Sequence, residues 1–84
     1  MNTRELKKFF KGHLVPSHLY HMNGQKNGRI CLDKTKEGWE VYFSDHKMKV
    51  GTMLYKDEQS ACDGMKDEIR KMMEQIFGIS WKFA

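Results

Sequence analysis

The chain has 84 residues, with 15 Lys and Arg against 11 Asp and Glu and a formal net charge of +4. That length supports one domain, 1–84, with a small core and hardly a deep cleft as well. No apolar run approaches the roughly 18 residues of a membrane span, and the two cysteines, without a CxxC, offer neither a disulfide framework nor a zinc spacing.

Asn2 opens a first helix, and Glu5 three residues later completes a capping box. Leu6, Phe9 and Phe10 then share one face, with Lys7, Lys8 and Lys11 around the other, and Gly12 is placed to end the helix in a left-handed step. Because MNTRELKK enters this helical pattern at once, it lacks a signal-peptide core. The expectation is a cytoplasmic protein with reduced thiols.

Residues 13–28 read as an irregular loop. Pro16 starts a helical turn through Tyr20, and Asn-Gly pairs at 23–24 and 27–28 are turn signals, since both residues tolerate positive φ.

Three strands follow. In the first, Arg29 to Asp33, Ile30 and Leu32 share one face while Arg29, Cys31 and Asp33 share the other. KTKEG closes a hairpin. In the second, Trp39 to Ser44, Trp39, Val41 and Phe43 alternate with Glu40, Tyr42 and Ser44. Asp45-His46 gives the next turn. The third runs from about Met48 to Tyr55, and Gly51 marks a bulge that switches its faces midway.

Asp57 caps the last helix. Cys62, Met65, Ile69, Met72, Met73 and Ile76 form its apolar stripe, and Asp67 and Lys71 make an i,i+4 pair. Gly64 inside this helix costs roughly 1 kcal/mol against Ala, which implies close packing on the sheet. Gly78 ends the helix, leaving a tail, 78–84. The fold class is therefore α+β: helix, three-stranded antiparallel β-meander, helix, with both helices packed on one sheet face.

Few residues point to chemistry. His18 and His21 lie three apart, but two histidines make a weak metal site. Cys31 and Cys62 have no histidine placed to serve as a base. Asp33, Glu37, Glu40, Asp45, Asp57 and Glu58 all have ordinary roles in turns, on a strand or at a cap. The reading is a non-enzyme with no cofactor and no metal. The helix–strands–helix order is shared by double-stranded-RNA-binding domains, but here the last helix begins DEQSACD, which repels phosphate. A sheet with helices behind it leaves its front open for docking. Tyr42 on that front is a natural anchor, with Glu40, Asp45 and Tyr55 beside it and Arg29 and Asp33 at the rim.

The run from Pro16 to about Met72 resembles small immunity proteins of bacterial polymorphic toxin systems. The likeness lies in Pro16, Tyr20, Gly24, RICL at 29–32, WEVYFSD at 39–45, Gly51 and YKDEQSAC at 55–62. It implies a non-catalytic protein that binds a cognate toxin domain and blocks it. Many immunity proteins are acidic mimics of nucleic acid, whereas this chain is basic, which suits an acidic or neutral toxin surface. The alternative is a small basic nucleic-acid-binding module. The chain is expected to be a monomer or a weak homodimer through an edge strand.

Overall fold

The structure, a computed structural model, describes residues 1–78. Helix α1 spans Thr3–Gly12. Its capping box forms as the sequence indicates: the Asn2 side chain accepts from the Glu5 N–H at 2.9 Å, and the Glu5 carboxylate accepts from the Asn2 N–H at 3.0 Å. Gly12 stays helical, and the left-handed step falls at Leu14 instead, with φ 58°. A short 3₁₀ turn, Ser17–Leu19, leads into strand β1, Tyr20–Met22.

Strands β2, Ile30–Thr35, β3, Gly38–Asp45, and β4, Met48–Tyr55, form the antiparallel meander. Helix α2, Glu58–Phe77, closes the described chain. The Asp57 side chain caps it by accepting from the Ser60 N–H at 2.7 Å, and Gly78 ends it at φ 67°. The part of the expected tail at residues 79–84 lies outside the described residues.

The sheet has four strands in the order β1-β2-β3-β4, not three. The extra strand comes from the stretch read as irregular. β1 pairs with β2 in parallel, Tyr20 beside Ile30 and Met22 beside Leu32. Parallel neighbours ordinarily need a crossover of a dozen or more residues. Here residues 23–29 return the chain in one tight loop, made possible by positive φ at Asn23, Gly24 and Gly28.

The helices and the inward side of the sheet share one core. Leu6 and Phe10 of α1, and Ala61, Cys62, Met65, Ile69 and Met73 of α2, pack with Tyr20, Met22, Ile30, Leu32 and Val41. Ile76, expected in the apolar stripe, is 57% exposed at the helix end. In β4 the register shifts between Val41 and Phe43, where Gly51 takes φ 65°. The bulge switches parity as the sequence suggests: Val50 pairs with Phe43 before it, and Met53 and Tyr55 pair with Val41 and Trp39 after it.

Gly64 has a clear reason to lack a side chain. A methyl group there would overlap the Tyr55 hydroxyl and ring. The helix gives up propensity at this point so that a tyrosine from β4 can lie against it.

Candidate protein-binding surface

The outward side of the sheet is not the open plate expected from the strand pattern. The crossover loop lies across it and is tied down by polar bonds. The Gly24 N–H donates to one oxygen of Asp33, and the Tyr42 hydroxyl donates to the other at 2.5 Å. Gln25 donates to the Ser44 hydroxyl at 3.0 Å and to the Lys47 carbonyl at 2.9 Å. The Asn27 side-chain oxygen accepts from the Ser44 hydroxyl and the Lys47 N–H. The Lys26 N–H approaches the Cys31 sulfur at 3.5 Å.

This clamp decides the fate of the six residues expected at a binding face. Tyr42 is 1% exposed, which corrects its reading as an accessible anchor: its ring is the floor under the loop. Glu40 is buried too and pairs with Lys49, whose ammonium lies 4.9 Å from the Tyr42 ring centroid. Asp33 is half-buried between Gly24 and Tyr42. Tyr55 points to the helix side and packs on the core. Arg29 donates to the Ser17 carbonyl at 3.0 Å, far along the sheet from β4. Asp45 is exposed at the β3–β4 turn, 2.7 Å from His46. The fold therefore does not gather these six on one surface. Strand alternation correctly separated Tyr42 from Val41, but it carries no information about a loop crossing the outer face.

The site's electrostatics are those of a structural network. Burial, the hydrogen bond to Asp33 and the negative charge of Asp33 all hold the Tyr42 phenol protonated well above its ordinary range. Burial, then the nearby Glu58 charge, pushes the Cys62 thiol up to about 11. Burial likewise raises Cys31. Neither thiol has the depressed pKa of a nucleophile. Among the described residues no three His, Cys, Asp or Glu side chains group to hold a metal ion, and no helix is long and apolar enough to cross a membrane.

Two surface features remain. The first is β4, an eight-residue edge strand with no partner on its outer side among the described residues. Met48 and Leu54 are each 70% exposed on it, and Val50 is 50% exposed. Beside it, Ile30, Val41, Phe43, Val50, Met53 and Glu68 line a hollow of about 240 Å³ between the sheet and α2. The sequence did not assign Met48, Val50 and Leu54 to a face, because the bulge at Gly51 interrupts the alternation of this strand. The sign that pointed outward was the lysines at 47, 49 and 56.

The second feature lies at the opposite edge. Arg4, Lys7 and Lys11, spaced three and four apart, line one side of α1. Two hollows of about 310 and 300 Å³ join there, sharing Lys7 and Met22, and the second also takes in His21 and Arg29. No carboxylate lines either hollow.

No protein-family model, curated protein or solved structure matches this chain.

Proposed function

We propose that the chain is a non-catalytic binding module that neutralises a toxin domain by covering it. The observation that supports this reading best is a long edge strand that exposes large apolar side chains on both of its faces, Met48 and Val50 on the helix side and Leu54 on the outward side. Large apolar side chains held out on an unpaired strand are a surface for another protein. The resemblance to immunity proteins supplies the toxin as the class of partner. The mechanism is steric: the β4 side seats on the toxin, and the charges of its exposed lysines set on-rate and partner choice. The inhibitor needs no reacting group of its own.

Co-production with the C-terminal domain of a polymorphic toxin encoded beside this gene tests the proposal. Growth arrest by that domain is relieved by the chain, and relief is lost with Val50→Asp combined with Leu54→Asp. Arrest that persists in the presence of the folded wild-type chain refutes it.

A second reading is a small nucleic-acid-binding module, favoured by the basic edge at Arg4, Lys7, Lys11 and Arg29. Removing these four from the 15 Lys and Arg leaves 11, the number of Asp and Glu, so this edge equals the chain's whole net excess. Among the described residues the aromatic lining this edge, Tyr20, is only 6% exposed and offers little face for stacking. A titration with a fluorescent oligonucleotide at two salt concentrations separates the readings, since phosphate contacts weaken steeply with salt.

A further inference from the structure

We infer that the outer edge of β4 receives an extended strand from a protein partner, and that this strand carries acidic side chains around an apolar centre. The inference rests on the protein-binding reading above and names how that partner is held. Three observations carry it.

The first is geometric. β4 ends the sheet, so the backbone groups on its outer side have no sheet neighbour among the described residues. An added strand satisfies them in the manner of β-augmentation, in which main-chain bonds give affinity and alternate side chains give specificity. The strand is eight residues long, and the bulge at Gly51 divides its edge into Met48–Val50 and Thr52–Tyr55, so an added strand pairs along these two stretches.

The second is charge. From His46 to Lys56 the chain holds Lys47, Lys49 and Lys56 and no Asp or Glu. All three lysines are exposed. Lys49 is engaged with Glu40, but none of the ion pairs among the described residues uses Lys47 or Lys56. Asp45, held by His46, and Asp57, beside Lys56, flank this run, so the positive excess is confined to the edge itself, where an acidic strand would lie.

The third bears on the simplest alternative, a second copy of the chain, and disfavours its face-matched register. The antiparallel self-pairing that keeps both faces matched across the bulge sets Val50 opposite Met53 and Lys49 opposite Leu54. It also sets Lys47 opposite Lys56, twice. A register centred on Lys49 places that residue against its own copy. Like charges directly opposite destabilise a strand pair, and lysines on an edge are a common guard against self-association. The guard works against a basic edge and leaves an acidic one free to dock.

The probe is an alternating glutamate–valine heptapeptide, with a lysine–valine heptapeptide as its control. Binding is followed by fluorescence anisotropy and by backbone amide exchange. The acidic peptide binds at least tenfold tighter than the basic one and slows exchange of outward amides within 48–55 at least tenfold. The double variant Lys47→Glu with Lys56→Glu reverses the preference. These two exposed side chains lie outside the core, so the variant folds; its melting temperature checks this.

Equal binding of the two peptides overturns the inference. So does protection confined to Tyr20–Met22, or displacement of the peptide by an oligothymidine, which would put a nucleic acid on this edge. Dimerisation of the free chain in sedimentation, lost on addition of peptide, would put the second copy there instead. A chain that relieves toxin arrest but ignores the acidic peptide keeps the function and loses this mode of binding. One that binds the peptide without relieving arrest does the reverse.

Discussion

Tyr42→Phe removes one oxygen and tests whether the crossover loop is clamped to the sheet. The lost bond is the 2.5 Å contact from the Tyr42 hydroxyl to the half-buried Asp33 carboxylate. The other oxygen of that carboxylate holds the Gly24 N–H, so the change loosens the loop's anchor as well as one side chain. A hydrogen bond to a charged group contributes about 1.5–3 kcal/mol. The ring remains, so no cavity term is added. Near 2 kcal/mol, a domain of this size loses roughly 10 °C in melting temperature.

The alkaline limb gives an independent reading. The folded state raises the Tyr42 pKa above its unfolded value, so its contribution is complete below about pH 10 and is lost as pH rises beyond that point. In that range the unfolded chain sheds the phenol proton and the folded chain keeps it, at about 1.4 kcal/mol per pH unit. Because the unfolded phenol is already half titrated at pH 10, the gap between wild type and variant should shrink by about 1 kcal/mol between pH 10 and 11. Thermal unfolding followed by circular dichroism at pH 7, 10 and 11 measures both effects. A melting temperature within about 2 °C of wild type at pH 7, or a gap that does not narrow with pH, would show that the clamp carries no free energy.

Gly64→Ala should lower stability by about 1 kcal/mol, because overlap with Tyr55 outweighs the propensity gained; in a Tyr55→Leu background the same change should raise it, and urea midpoints decide the sign. Both thiols are buried and held protonated, so Cys31 and Cys62 should react with a thiol reagent only as fast as the fold opens. A fast phase in native buffer would place one of them at the surface.

Much of the fold was legible because its signals were local. Asn2 with Glu5, Asp57 and Gly78 marked helix ends through hydrogen bonds reaching no further than four residues. The alternation of Val41 and Phe43 against Tyr42 and Ser44 separated the two faces, and Gly51 announced a bulge. Tyr20–Met22 gave no such signal. Three residues are too few for a period, and the strand exists only because Ile30–Leu32 lies beside it. A contact ten residues away in sequence, across a loop of Asn and Gly, leaves no local mark.

The same gap explains why the candidate site moved. Pattern reasoning assigns a residue to a side of the sheet, and exposure then depends on what else crosses that side. Asp33, Glu40 and Tyr42 lie on the outward side, yet the loop and Lys49 engage them. Their polarity serves the loop, which must bury its turn against groups able to bond it. Once that face is occupied, a partner is left with the margins of the sheet. One margin is short and basic, with Tyr20 and Met22 of its three residues already buried. The other is long and exposes Met48, Val50 and Leu54, with Lys47 and Lys56 flanking it. Strand pairing needs length and unpaired backbone, and among the described residues both occur together along Met48–Tyr55. Binding that survives full disruption of this edge, with the loop clamp intact, would leave the basic margin as the working surface and favour the nucleic-acid reading.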